Sequence, residues 1–396
     1  MPSLTYQTAG ESHGPSLVTI VSGLPAGVAF DADFINSELH RRQGGYGRGG
    51  RQRIEQDAIE ILSGVRLGKT IGSPVCMRIV NNDSRIDDLT KTPPVYTPRP
   101  GHADLAGSVK YLTTDCRETL ERASARETAA RVAAGAAARC LLRHFHIEVF
   151  GFVRSILDAV WSGDVTESSW RSLLAARDAS ETYCPDGADG PTTTKQCAII
   201  RQAKIDKDTV GGLVEAHVFG CPPGLGSTMN WYERLDGRLA AAVMGIQAFK
   251  AVEIGLGKDA AFRPGSKVHD PIRFDPARVN SPSLGFVRDS NNAGGTEGGM
   301  TNGAPVVVRG TMKPISTLLR GMPSVDLNTK QPATSAYERS DICAVSAASV
   351  VMENVVAFEI ARAFLEKFGG DSIEELSSNY TNFLATARKL PLHPIA

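Results

Sequence analysis

The amino-acid sequence predicts an α+β fold, on three observations. Helix-like and strand-like segments recur in both halves of the chain. Each half carries one long glycine-rich loop, at residues 43–52 and 289–303, and no sharp linker divides the halves. Two of the helical segments are rich in alanine, which has the best helix propensity and lets neighbouring backbones approach closely.

Taken in order, residues 17–21 and 27–30 read as strands around the turn Gly23-Leu24-Pro25-Ala26. Asp31 or Asp33 is placed to cap a short helix through Ile35, Leu39 and Arg42. Residues 58–62 and 74–80 form two more strands. Their connector, Ser63 to Thr70, looks like a phosphate-binding loop, but Gly72 and Pro74 cannot open the helix that such a loop requires, so it reads as a hairpin connector. Residues 118–145 read as one alanine-rich helix, and strands follow at 147–153 and 212–218. The stretch 181–195, with Pro185, Gly187, Gly190 and Pro191, reads as a surface loop. A second alanine-rich helix is expected at 235–249, a strand at 305–310 and a last long helix at 344–368. A single domain over 1–377 with a peripheral tail at 378–396 completes the expectation.

Composition narrows the function. The 396 residues carry 43 Lys and Arg against 43 Asp and Glu, a balance that argues against a general nucleic-acid binder. No apolar run is long enough to span a bilayer. The first residues lack the basic and apolar segments of a secretory signal. Seven cysteines form no CxxC pair, so reduced thiols and a cytoplasmic location are expected. No His, Cys and Asp cluster has metal-ligand spacing, and no protein-bound metal is expected.

Against this neutral background, five arginines and no lysine fall in the glycine-rich run from His40 to Arg53, with no acid between Glu38 and Glu55. Guanidinium groups grip carboxylates and phosphates at two points, so the run suggests a small polyanionic ligand. A solvated basic loop is the ordinary alternative, and RNA a weaker one. His13 lies in Gly10-Glu11-Ser12-His13-Gly14, where flanking glycines let a bulky ligand approach the backbone. His102 lies in Arg99-Pro100-Gly101-His102-Ala103-Asp104, another glycine-proline turn with an arginine and an acid beside it. Two loop histidines suit paired acid and base work, although each alone reads equally as a loop residue without a role. Arg122 and Arg126 share a helix face at four-residue spacing and oppose the macrodipole, with Ser124 between them; an anionic ligand or a surface ion pair would account for them. Asp341 is either a functional acid or a helix cap. Lys313-Pro314-Ile315-Ser316-Thr317 has the makings of an anion-binding turn.

Together these pieces resemble the chorismate synthase family, from Thr8 to about Gly369. Three signatures carry the resemblance: Gly10-Glu11-Ser12-His13-Gly14 continuing to Gly23-Leu24-Pro25; Glu121-Arg122-Ala123-Ser124-Ala125-Arg126-Glu127-Thr128 through Val132-Ala133-Ala134-Gly135; and Arg339-Ser340-Asp341 with Glu353 in the next helix. The Gln247-Ala248-Phe249-Lys250 and Asn291-Asn292-Ala293-Gly294-Gly295 segments follow in the same order. Ser22, Ala123 and Ala251 depart from the family's usual acid, serine and glycine; Ala123 removes a hydroxyl near the implied flavin pocket.

The resemblance implies a β-α-β sandwich, long central helices between antiparallel sheets in two related halves, assembled as a homotetramer. It implies conversion of 5-enolpyruvylshikimate 3-phosphate to chorismate and phosphate by 1,4-anti elimination. Reduced FMN is the cofactor, NADPH an indirect reductant, and net redox change is absent. Carried over residue by residue, His13 protonates the departing phosphate, His102 sets the protonation of the reduced flavin, and Asp341 assists proton removal at the flavin. Arg122, Ala123, Ser124, Gln247, Ala248, Gly298, Lys313, Pro314, Ile315, Ser316, Thr317 and Arg339 are implied flavin contacts. Arg42 and Arg48, helped by Arg51 and Arg126, are implied substrate contacts, and the 44–50 segment is expected to order around ligands. A flavin- or nucleotide-dependent reductase and an RNA-binding protein are the rival readings.

Overall fold

Two antiparallel sheets enclose a layer of helices in the computed structural model, which describes residues 4–50, 54–335 and 341–390. The first sheet takes β1 (Thr5–Ala9), β2 (Ser16–Ser22) and β3 (Ile59–Ser63). A small hairpin of β4 (Val65–Arg66) and β5 (Lys69–Thr70) leads into β6 (Val75–Val80), and the strand order is β1-β2-β6-β3. The connector that mimics a phosphate-binding loop is therefore the hairpin that Gly72 and Pro74 dictate. The register of β2 on β6 pairs Leu17 with Ile79, Thr19 with Met77 and Val21 with Val75, which puts these buried side chains on one face.

The second sheet is built from β7 (Glu148–Ile156), β8 (Ala159–Val160), β9 (Gly212–Phe219), β10 (Phe249–Ile254) and a later strand. Two small hairpins, β11 (Ile272–Phe274) with β12 (Phe286–Arg288) and β13 (Thr296–Glu297) with β14 (Met300–Thr301), precede that strand, β15 (Val306–Met312). The order is β10-β15-β9-β7-β8. Valines matched across β7, β9 and β15 (Val149, Val218 and Val306) form its inner face. Phe150, Phe152, Trp170 and Phe219 form a separate apolar cluster.

Between the sheets lie α1 (Ala32–Gln43), α4 (Thr128–His144) and α8 (Val345–Phe368). Helix α4 packs on β2, α8 packs on β7 and β9, and the two helices pack on each other. Small side chains make this possible. A Cβ placed on Gly135 would sit 2.2 Å from the carbonyl oxygen of Asn354, so only glycine permits the approach of α4 to α8. Helix α8 is apolar on nearly every side because neighbours surround it. The remaining helices are α2 (Asp104–Tyr111), α3 (Arg117–Ala123), α5 (Trp170–Ala179), α6 (Pro191–Ile205), α7 (Leu235–Met244) and α9 (Ile373–Ala387). Among the described residues no helix is long and apolar enough to cross a membrane.

Several expectations need correction. Residues 27–30 form only isolated bridges, as Ala29 does with Lys69, not a strand. The single helix over 118–145 is broken at Ser124, whose extended backbone (φ −61°, ψ 142°) ends α3 while its hydroxyl accepts from the Arg126 N–H. Arg122 and Arg126 therefore do not share a face. The helix expected over 235–249 stops at Met244, because Phe249 onward pairs with β15. Pro191 does not continue a loop but opens α6 at its first turn, where a missing N–H costs nothing. Helix α9 runs through the tail boundary expected after residue 377, and Tyr380 and Phe383 pack against the core.

One buried charge network ties the helical layer to the second sheet. Glu353 of α8 is 0% exposed and meets Arg41 (2.7 Å), Arg139 (3.1 Å) and Arg177 (3.2 Å). Glu38 of α1 meets Arg41 (2.6 Å) and Arg139 (2.7 Å). Burial raises the Glu38 carboxyl, but the charges of Arg139 and Arg41 outweigh it and hold the group far below its usual value. This network sits at the root of the arginine-glycine loop, since Arg41 closes α1.

Candidate active site

The arginine-glycine loop is tethered by protein contacts as far as it is described. Tyr46 N–H donates to the Glu181 carbonyl (2.7 Å), Ile342 N–H to the Gly47 carbonyl (2.9 Å), and Gly49 N–H to Asp341 Oδ1 (2.6 Å). Arg48 reaches Asp341 Oδ2 at 2.5 Å. These bonds draw the loop over a cavity of about 1100 Å³ lying between the GESHG loop, the α3–α4 junction and the turn after β15.

Eight lysines and arginines and three aspartates line this cavity. On one side Arg42 and Arg126 share the buried Asp57 carboxylate, at 2.9 and 2.6 Å, and Arg126 also lies 3.7 Å from the buried Glu55. Arg126 also donates through Nε to Asn81 Oδ1 at 2.9 Å. Over the whole wall, eight cationic side chains against three aspartates leave net positive charge facing the cavity. Buried Nε donors of Arg42 and Arg48 find no hydrogen-bond partner among the described residues, which is costly unless an acceptor enters.

Burial raises the Asp57 carboxyl, but Arg42 and Arg126 together hold it below its usual value. A depressed carboxyl contributes stability that is fully present above its unfolded value, about 4, and is lost as pH falls through its lower folded value. Asp57→Asn is therefore expected to lose stability at neutral pH and to show a shallower decline below about pH 4 than the parent. Urea unfolding across that range checks this; parallel curves for the two proteins would contradict it.

The two histidines are held alike. His13 Nδ1 lies 2.9 Å from Glu121 Oε1, and the His13 N–H donates to Glu121 Oε2 at 2.8 Å. Its Nε2 lies 3.3 Å from an Arg85 nitrogen and 3.8 Å from Asp83 Oδ2. His102 Nδ1 hydrogen-bonds the buried Asp104 carboxylate, which Arg99 grips with Nε (2.8 Å) and a second nitrogen (3.1 Å). Burial raises the Asp104 carboxyl, yet its bonds to His102 and Arg99 win and push it well down. Each imidazole thus has one nitrogen committed to a carboxylate and lines the cavity.

The remaining wall offers polar groups against an apolar surface. Gln247 donates to Glu127 Oε2 (2.9 Å), while its own Oε1 is buried without a hydrogen-bond partner among the described residues. Ala248 takes φ +68°, a left-handed turn that aims its carbonyl at the Lys313 N–H (2.9 Å). Burial and the nearby Lys250 charge both lower the Lys313 ammonium. Thr317 Oγ1 accepts from Arg99 at 3.0 Å. Leu120, Ala123, Ala125, Met312, Pro314 and Ile315 supply apolar surface nearby.

Of the residues singled out by sequence, His13, Arg42, Arg48, His102, Ala123, Ser124, Arg126, Gln247, Ala248, Lys313 through Thr317 and Asp341 surround this one cavity. Two do not. Arg122 turns away to the Thr8 carbonyl (2.9 Å) and the Gly10 carbonyl (3.2 Å), bracing the strand end before His13. Gly298 sits in the β13–β14 turn beside Thr228. Arg51 and Arg339 lie outside the described residues. Sequence reasoning missed Asp83, Arg85, Lys91 and Arg117 on the wall, and Asp57 and Glu121 behind it. Glu121 stood inside a quoted signature, but its partner is 108 residues away.

Comparison with known proteins agrees with this geometry. The model of the family described as chorismate synthase matches residues 4–365. The chorismate synthase of Desulforudis audaxviator (strain MP104C) is 52% identical over 394 residues, covering 97% of this chain and 98% of that one. That of Pelobacter propionicus (strain DSM 2379 / NBRC 103807 / OttBd1) is 51% identical, covering 98% and 100%. A solved structure described as a crystal structure of chorismate synthase superposes with a TM-score of 0.78 at 38% identity, over 98% of this chain and 100% of that one. On full-length sequence similarity, shared fold and the residues gathered in one cavity, the chain belongs to the chorismate synthase family.

Proposed function

We propose that this chain carries out the 1,4-anti elimination of phosphate from 5-enolpyruvylshikimate 3-phosphate, giving chorismate, in the cavity described above. The observation that carries this reading is the convergence of eight cationic side chains and two carboxylate-held histidines on one space. At about 1100 Å³ the space is at or beyond the upper end of ordinary small-ligand sites, roughly 300–1,000 Å³, and suits two ligands together.

A reduced FMN fits the wall formed by Gln247, the Lys313 to Thr317 turn and the α3–α4 junction. Gln247 Oε1, without a partner among the described residues, needs a donor, the Lys313 to Thr317 turn offers a cation and hydroxyls, and Ala123 and Ala125 add apolar surface on either side of Ser124. When bound, the reduced flavin supplies the electron density that makes the carbon–oxygen bond to phosphate labile. The chain itself binds, orients and moves protons. Arg42, Arg48 and Arg126 hold the two carboxylates and the phosphate of the substrate, with hydrogen bonds to charged groups contributing roughly 1.5–3 kcal/mol each. His13 donates a proton from Nε2 to the departing phosphate. His102, its Nδ1 committed to Asp104, holds a proton on the flavin side, and Asp341 stands at the loop as an acceptor. NADPH as an indirect reductant, a homotetrameric assembly and a cytoplasmic location complete the proposal.

A reductase sharing the same basic cavity is separated by stoichiometry. With flavin reduced chemically under anaerobic conditions, chorismate and phosphate should form one for one with no nicotinamide oxidised. One nicotinamide consumed per product would overturn the elimination. Arg48→Ala should weaken substrate binding about 10- to 100-fold while flavin affinity moves less than about 3-fold, as titration of each ligand would read. Equal losses would mean that the loop has collapsed instead.

A further inference from the structure

We propose that Glu121 is a positioning residue for His13, fixing which imidazole nitrogen faces the substrate and supporting its protonated form. The proposal rests on the elimination reading above and adds to it a group outside the cavity wall. Glu121 lies within α3, and it grips His13 twice, at Nδ1 (2.9 Å) and at the backbone N–H (2.8 Å). Its own carbonyl also accepts from the Ser12 N–H at 2.9 Å, so the whole loop is clamped onto α3. With Nδ1–H directed at a carboxylate, Nε2 is the nitrogen left among Asp83 and Arg85 at the cavity.

The charge balance around the ring gives Glu121 its leverage. From α3, Glu121 and Arg117 face the imidazole; from the segment after β6, Asp83 and Arg85 do, and these two pair with each other at 3.2 Å. Arg117 reaches Glu121 at 3.5 Å. Burial raises the Glu121 carboxyl, but the bonds and charge of His13, with Arg117 behind, hold it below its usual value. The ionised form of Glu121 is therefore favoured beside the ring. In the step itself the carbon–oxygen bond breaks with its electron pair on oxygen, while the electron pair of the substrate ring's carbon–hydrogen bond goes into the new diene and that proton leaves toward the acceptor at Asp341. The Nε2 proton passes to the phosphate.

The test is a double-mutant cycle with pH profiles. Glu121→Gln keeps an acceptor for the His13 N–H but removes the charge. In the parent it should lower kcat about 10²-fold, with KM and flavin affinity within about 3-fold. The alkaline limb of kcat should move to lower pH, because the protonated ring has lost its counter-charge. In a His13→Ala background the same change should alter the residual turnover less than about 2-fold. Equal losses in both backgrounds would overturn the positioning role and leave Glu121 a structural clamp. Near-normal turnover by His13→Ala alone would overturn the acid assignment, and the positioning with it. Glu121→Asp, which restores charge on a shorter arm, should return the alkaline limb toward the parent; a limb that stays with the Gln variant also overturns the proposal.

Discussion

His13→Ala should lose about 10²- to 10⁴-fold in turnover while still binding reduced flavin. The imidazole is held on Nδ1 by Glu121 and presents Nε2 beside Asp83 and Arg85, so alanine removes the proton donor without touching Gln247 or the Lys313 to Thr317 turn. The loop itself should survive, since Asn81 Nδ2 still donates to the Gly14 carbonyl (2.8 Å) and the Arg85 N–H to the residue-13 carbonyl (2.9 Å). Single-turnover measurements with pre-reduced flavin separate the proton-transfer step from flavin binding. Turnover within about 3-fold of the parent would remove His13 from its role.

The largest effect on stability is expected at Glu353→Ala. Three guanidinium groups, from Arg41, Arg139 and Arg177, converge on this carboxylate, which is 0% exposed. Burial lowers Arg41, but Glu353 and Glu38 outweigh it and hold the group above its usual value. Removing Glu353 strands buried positive charge, which typically costs about 3–5 kcal/mol. That is a large share of the roughly 5–15 kcal/mol total stability of a folded domain. Because Arg41 closes α1, loss of order should spread to the loop that carries Arg42 and Arg48, and substrate affinity should fall with stability. Urea unfolding checks the first effect and ligand titration the second. A loss below about 1 kcal/mol would mean that the network relaxes around the gap.

Much of the site was legible in the sequence because its chemistry is local. Glycines bracket His13, a glycine-proline turn carries His102, and an acid-free run holds Arg42 and Arg48. A cap at Asp31 or Asp33 was legible, and it is the Asp31 side chain that accepts from the Phe34 N–H. What stayed hidden depends on contacts between distant residues. Asp57 lies 15 residues from Arg42 and 69 from Arg126, and nothing in its neighbourhood hints that both share it. Ser124 breaks a helix inside an alanine-rich pattern that reads as continuous, because the cap takes only one hydroxyl. Strand β10 continues an apolar helical run, and only its pairing with β15 makes it extended. Helix α6 was obscured by the opposite error, in which Pro191 was taken as a breaker although proline is favoured at a helix's first position.

A crystal structure of the complex with reduced FMN and the phosphorylated enolpyruvyl substrate tests the shared cavity most directly. The flavin ring should lie against Ala123 to Ala125, Gln247 and the Lys313 to Thr317 turn. The substrate phosphate should sit within hydrogen-bond reach of His13 Nε2, with Arg42 and Arg48 on its anionic groups. Either ligand bound elsewhere, or a phosphate directed away from His13, would contradict the account.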